Sequence, residues 1–232
     1  MRSVEFQGVQ IVARGISVRG PQGCAVANVS TDIAAGQLGV IAGPAGSGRT
    51  SMLLALAGRM RLVTGTVAVG GYRLPGDSRQ VQQLVAVAAA SPAVELDEHL
   101  TVEEHVAERF FTSRGRSTRA AVAEAFDIVG LETPRKLPIG ELKPDDRVLL
   151  AAALAVAERP GAMVIDDVDR GCGPEESRRV WAGLSALRER GCTVVAGGTQ
   201  IPDGFDSTDI VVTRLRHPID RDRIPVPDGE AH

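Results

Sequence analysis

A chain of 232 residues, 44% apolar and 24% charged, is long enough to bury one substantial core and a small appended subdomain. The formal charge of −3 comes from interspersed signs, so there is neither a basic stripe for nucleic acid nor an acidic tail for a basic partner. Cys24, Cys172 and Cys192 lie far apart without CxxC or Cys/His spacing. That argues against a disulfide framework or a zinc site and for small, buried or half-buried residues in a reducing compartment. The opening MRSVEFQGVQ has no apolar secretory stretch, so the chain is expected to stay in the cytoplasm. Its longest apolar run, Val148 to Ala157, is about half of what a bilayer-spanning helix needs, and any work at a membrane requires another chain to cross it.

Taken in chain order, VQIVARGISV, CAVANVSTDI and QLGVIAG are runs rich in Val and Ile between Gly, Pro and Asn turn signals, and predict three strands. The third runs into GPAGSGRT, and SMLLALAGRMRL has helical spacing with a glycine placed to end it. TGTVAVGGYRL alternates like an edge or antiparallel strand, and LVAVAAA reads as a buried strand. From Thr101 the period becomes helical, in TVEEHVAERFF and in STRAAVAEAFDIVGL, with Ser117 or Thr118 as N-cap and Gly130 near the end. Then follow the helix DDRVLLAAALAVAER, the strand AMVIDD, the helix PEESRRVWAGLSALRERG, the strand CTVVAGG and a last strand near DIVVTRL. Alternating β and α implies a parallel sheet. The Pro-rich polar tail from His217 is expected to fray.

Gly43-Pro44-Ala45-Gly46-Ser47-Gly48-Arg49-Thr50 matches the phosphate-binding pattern G-x-x-x-x-G-K-[ST] with Arg49 in the lysine position. Its glycines let successive backbone N–H groups turn inward, and the following helix adds its positive end, so an anionic phosphate is bound without any side chain. Thr50 supplies the hydroxyl for a magnesium ion, while Arg49 keeps the charge but replaces a slim ammonium with a wide planar fork. Gly43, Ala45, Gly46, Ser47, Gly48, Arg49, Thr50 and Ser51 are the residues expected around the phosphates.

Ala162-Met163-Val164-Ile165-Asp166-Asp167 fits a strand that ends in a metal-side carboxylate followed by a second carboxylate able to activate water. Asp166 is the expected metal-side acid. Asp167 takes the position of the catalytic base, usually Glu, and is one methylene shorter.

In the order and spacing of these parts the chain resembles the ATP-binding cassette (ABC) ATPase family from about Val9 to Leu215. The resemblance implies an α/β P-loop NTPase fold of ABC type: a mixed sheet core with an antiparallel β edge and a small helical subdomain. It implies one nucleotide-binding domain over 1–216, with the helical subdomain at about 95–145, and a flexible tail over 217–232. It also implies ATP and Mg2+ as ligands, a membrane-spanning transporter subunit and a second cassette as partners, and a place at the inner face of the cell membrane. Several positions depart from the family's pattern. Where the signature LSGGQ would fall stands Leu142-Lys143-Pro144-Asp145-Asp146, in which only the leucine agrees. The family's signature serine and glycines meet the γ-phosphate held by the opposing subunit, whereas Pro144 removes an N–H and two aspartates bring negative charge.

The adenine-stacking aromatic falls near Gly20, the Q-loop glutamine near Ala90, the D-loop aspartate at Gly173, and the switch histidine at Thr199, followed by Gln200. His99, His105, His217 and His232 are outside the catalytic register and are expected to face solvent. Two functions fit: an energising subunit that closes on ATP in a dimer, or a slow or non-hydrolysing cassette that regulates or scaffolds a complex, as homodimer or heterodimer. A P-loop kinase or GTPase is a third, disfavoured by the lack of an NKxD-type run. The transported substrate would be set by the membrane partner.

Overall fold

Two sheets carry the chain, in the order β1 (Ile11–Gly20), β2 (Gly23–Ile33), β3 (Leu38–Ala42), α1 (Arg49–Leu56), β4 (Leu62–Val69), β5 (Tyr72–Leu74), α2 (Ser78–Leu84) and β6 (Val85–Ala89). There follow α3 (Val102–Thr112), α4 (Arg119–Val129), a single 3-10 turn at Ile139–Glu141, α5 (Pro144–Val156), β7 (Ala162–Ile165), α6 (Pro174–Glu189), β8 (Thr193–Gly198) and β9 (Ile210–Arg214). These come from a computed structural model that describes residues 5–20, 23–113, 115–200, 204 and 210–216. The expected tail over 217–232, with His217 and His232, lies outside them.

The antiparallel sheet runs β2-β1-β4-β5 and the parallel sheet β6-β7-β8-β3-β9. β3 is buried throughout, as are β7 and β8, and each reads as a near-continuous apolar run because helices or a second sheet cover both faces. Alternate side chains divide between two cores. Leu38, Val40, Met163, Ile165, Val194 and Ala196 pack against α4, α5 and α6, around Phe126, Leu149, Leu150, Trp181 and Leu184. Ile41, Ala162, Val164 and Val195 face the other way, onto Met52, Leu53 and Leu56 of α1 and Ile11, Ile16, Val67 and Val69 of the antiparallel sheet. A fully buried leucine contributes about 2 kcal/mol, so these two layers hold the sheet edge that carries the site rigid.

Local signals account for the helix ends in the stretch 95–145. Thr101 accepts from the Glu104 amide while Glu104 returns a bond to the Thr101 amide, a capping box that starts α3. Thr118 caps α4 through the Ala121 amide, and Gly130 (φ 66) ends it. The buried face of α4 (Val122, Ala125, Phe126, Val129) is continuous with the core under α5 and α6.

Four local features differ from the sequence expectation. TGTVAVGGYRL is two strands, β4 and β5, because Gly70 and Gly71 (φ 55 and 90) turn the chain back on itself. Helix α2 gave no periodic signal, since Val81 is its only buried residue. His105 is buried rather than solvent-facing: its Nε2 meets the Asp97 carbonyl at 3.1 Å and its Nδ1 faces Glu108 at 3.4 Å, tying the loop before α3 to the helix. Cys24 is exposed, whereas Cys192 is buried and Cys172 half-buried.

Burial pushes the Cys192 thiol up to about 12, and burial together with Glu176, Asp145 and Asp169 pushes Cys172 up to about 11. The thiolate is the reactive form, so near pH 8 an aromatic disulfide reagent is expected to titrate Cys24 in the folded protein and the other two only after denaturation. Rapid reaction of more than one thiol in the native state would contradict this burial.

Candidate functional site

The parallel sheet brings the C-terminal ends of β3, β7 and β8 to one edge, where a doubly covered sheet binds its ligands. From β3 the chain enters the loop Gly43–Gly48 and turns directly into α1 at Arg49. The Gly43 amide donates to the Gly198 carbonyl at 3.2 Å and the Ser47 amide to the Pro44 carbonyl at 3.0 Å. Gly46 and Gly48 are left-handed, with φ 74 and 87. A side chain at Gly48 would collide with the Ala25 carbonyl oxygen of β2, whereas none at Gly46 would meet a neighbour. The loop therefore lies against the antiparallel sheet at one glycine and opens to the cavity at the other.

Ala45, Gly46, Ser47, Gly48, Arg49, Thr50, Ser51 and Asp167 line a cavity of about 700 Å³, within the range of nucleotide- and cofactor-sized sites. Gly20, Gly23, Cys24, Ala25 and Asp169 complete its lining, with the exposed Arg170 and Thr199 at its rim. Gly43 and Asp166 stand behind this wall. Asp166 is buried, its amide donates to the Ala89 carbonyl at 2.9 Å, and its Oδ2 accepts from the Thr50 hydroxyl. A side chain at Gly197 would occupy the space of Asp166 Oδ1, so the glycine at that point of β8 makes room for the acid. Burial raises the Asp166 pKa, with the Asp167 charge in the same direction, and the Thr50 hydrogen bond opposes them. A hydroxyl and a buried carboxylate in contact are hard oxygen donors, the set that suits Mg2+, and a cation there would offset the burial.

Arg49 lines the cavity wall, but its guanidinium is committed within the protein. It is buried; its two terminal nitrogens donate to the Gly43 carbonyl and to Asp167 Oδ1, and its Nε lies 3.6 Å from Asp166 Oδ1. Asp167 holds left-handed backbone (φ 52), a sparsely populated state for a residue other than glycine and a mark of functional sites. Its second carboxylate oxygen faces Arg170 Nη1 at 3.7 Å. Thr199, in the place of the switch histidine, does not face a base: its amide donates to Asp169 Oδ2 at 2.6 Å, its hydroxyl donates to the same oxygen, and the Gln200 amide does so at 3.2 Å.

The residues in the other family positions are likewise committed elsewhere. Ala90 is fully buried and bridged to Val94. Gly173 is the N-cap of α6, its amide donating to Glu176 Oε2 at 2.7 Å. Gly20 does line the cavity. The signature segment opens α5, with Pro144 at its first turn and Asp145 and Asp146 beside it. Arg179 of α6 binds Asp145 Oδ2, Asp146 Oδ1 at 2.6 Å and the Gly130 carbonyl at 3.1 Å. The positive end of α5 is thus already matched by the chain's own carboxylates. Asp169 and Arg170 were not singled out from the sequence. Their signal was position alone, since residues just after a parallel strand that ends in two acids must lie at the same sheet edge.

A family model described as ABC transporter matches residues 26–169 of the chain. Among curated proteins, the Nod factor export ATP-binding protein I of Burkholderia orbicola (strain AU 1054) is 29% identical over 172 residues, covering 73% of this chain and 56% of that protein. The protein of the same name from Neorhizobium galegae is 24% identical over 195 residues, covering 83% and 54%. The chain spans about half the length of these relatives. A bacterial ABC transporter cassette in a dimeric structure superposes with a TM-score of 0.68 at 20% identity, covering 88% of this chain and 94% of that one. cbiO1 from Clostridium perfringens, part of an ABC transporter complex, gives 0.66 at 14%, covering 91% and 87%.

The chain belongs to the ABC transporter ATP-binding family, and its mixed α/β fold is the cassette fold. Members of that family bind nucleotide, typically with Mg2+, dimerise and work with membrane transporter partners. Among the described residues no helix is long and apolar enough to cross a membrane.

Proposed function

We propose that this chain binds Mg-ATP on the Gly43–Thr50 loop to drive or regulate a separate membrane-spanning transporter subunit, paired with a second cassette at the cytoplasmic face. The carrying observation is that the glycine loop and Thr50 line a cavity of about 700 Å³ while Asp166 bonds the Thr50 hydroxyl from behind that wall. The loop N–H groups and the positive end of α1 support phosphate binding at Gly43, Ala45, Gly46, Ser47, Gly48, Thr50 and Ser51. Thr50 and Asp166 would hold magnesium, which when bound neutralises the charge of the outer phosphates. Asp167 is the carboxylate placed to take a proton from water, and Arg49 occupies its Oδ1.

A second reading, a slow cassette that regulates or scaffolds a transporter complex, rests on that same Arg49–Asp167 pair together with the acid-filled start of α5. Phosphoryl transfer relies on positioning and charge, and losing one positioned group costs on the order of a hundredfold in rate.

Calorimetric titration with Mg-ATP beside a phosphate-release assay tests both readings. Wild type is expected to bind with a Kd between roughly micromolar and sub-millimolar, and Arg49→Ala to bind more weakly because the Gly43 carbonyl loses its prop. Binding with background phosphate release selects the regulatory reading, and clear turnover the energising one. Absence of ATP binding in wild type would remove the nucleotide site altogether.

A further inference from the structure

We propose that Arg170 is the side chain that meets the outer phosphates of a nucleoside triphosphate held on the Gly43–Thr50 loop, the contact that Arg49 leaves unmade. The inference rests on the cavity being a nucleotide site. Arg49 and Arg170 are the cationic side chains among the cavity's lining residues, and they are placed oppositely. Arg49 is 8% exposed, with its terminal nitrogens turned under the loop onto Gly43 and Asp167. The wide guanidinium explains that choice: it spans a loop carbonyl and a carboxylate at once, which a single ammonium does less well. Its charge is spent within the protein.

Arg170 is 73% exposed at the rim, tethered by one long ion pair of 3.7 Å to Asp167 Oδ2. Most of its five N–H donors therefore remain open to a ligand. Its backbone, by contrast, is fixed on both sides. The Val168 amide donates to the Gly197 carbonyl at 3.1 Å, the Arg170 amide to the Asp167 carbonyl at 3.1 Å, and the Cys172 amide to the Asp169 carbonyl at 3.2 Å. Asp169 is itself clamped to Thr199 and Gln200. A rigid stem beside the glycine loop means that binding has only the Arg170 side chain to order and no backbone, and the loosely held guanidinium is free to move onto a ligand. Forked donors on phosphate form the stronger class of hydrogen bond.

The test is a Mg2+-containing calorimetric titration of wild type, Arg170→Ala and Arg170→Lys with ATP and with inorganic tripolyphosphate, which has no base or sugar. Arg170→Ala is expected to weaken both ligands about tenfold, the loss of one charge-assisted contact at a partly solvated site. Arg170→Lys should recover part of that loss, and all three proteins should melt together, since the side chain supports no packing. Equal affinity of Arg170→Ala and wild type for ATP overturns the assignment while leaving the nucleotide site standing. If wild type itself binds neither ligand, the nucleotide site and the role of Arg170 fall together.

Discussion

Gly48→Ala is expected to destabilise the fold by about 3 kcal/mol, lower the melting temperature by roughly 10 °C and abolish ATP binding. Gly48 has φ 87, and a Cβ there meets the Ala25 carbonyl with Val26 Cγ2 3.3 Å away. Left-handed backbone costs an alanine about 1–2 kcal/mol, and forcing atoms into an occupied space adds about 1–3 kcal/mol. Neither side can yield easily. β2 is held by its ladder with β1, Val26 is buried, and the loop is pinned through Gly43 to Gly198. Gly46→Ala is the control, because Gly46 has a similar φ of 74 with open space around it. It should lose only the backbone part, about 1 kcal/mol, and retain measurable binding. Thermal unfolding of the two variants by calorimetry separates the terms, and equal losses would mean that the loop does not rest on β2.

Arg179→Ala is expected to lower stability by about 2–3 kcal/mol, read by urea denaturation. Removing one partner of a buried ion pair typically costs about 3–5 kcal/mol, because the other charge is left without compensation. Asp145 is 4% exposed, but Arg179 is 36% exposed, so solvent screening trims that figure. The same substitution releases Asp146 and the Gly130 carbonyl that ends α4, so the loss should centre on the junction of α4, α5 and α6. Asp145→Asn in the Arg179→Ala background should regain part of the loss, because a neutral amide needs no counter-ion. A double-mutant cycle gives the coupling directly, and additive losses would refute the pairing.

The glycine loop between β3 and α1 and the place of Asp166 at the end of β7 were legible in the sequence because their signals are local. A glycine-rich turn between an apolar run and a helical period can serve few ends, and a carboxylate closing a buried strand must sit at the sheet edge. The strands, except for the split of TGTVAVGGYRL into β4 and β5, the two capped helices before residue 140 and the antiparallel edge were legible for the same reason. Helix α2 was not, since seven residues with one buried side chain carry no period. His105 was misread because a lone histidine on a helix says nothing about the loop that folds over it.

The character of the site was decided in three dimensions. The sequence shows an arginine in the lysine position of the glycine loop, two aspartates closing β7 and an acidic start to α5. It does not say where these charges go. Arg49 and Asp167 are 118 residues apart, Thr50 and Asp166 are 116 apart, and Arg179 and Asp145 are 34 apart. Such pairings depend on the strand order β7-β8-β3, which crosses the chain over itself and leaves no trace in any local window. The sequence by itself thus determined the glycine-rich turn between β3 and α1, which is made of backbone. Only the packing of β3 beside β8, and of α5 against α6, decided that Arg49 is turned inward and that the start of α5 is already neutralised, because a side chain's charge is committed to whichever opposite charge the fold brings within reach.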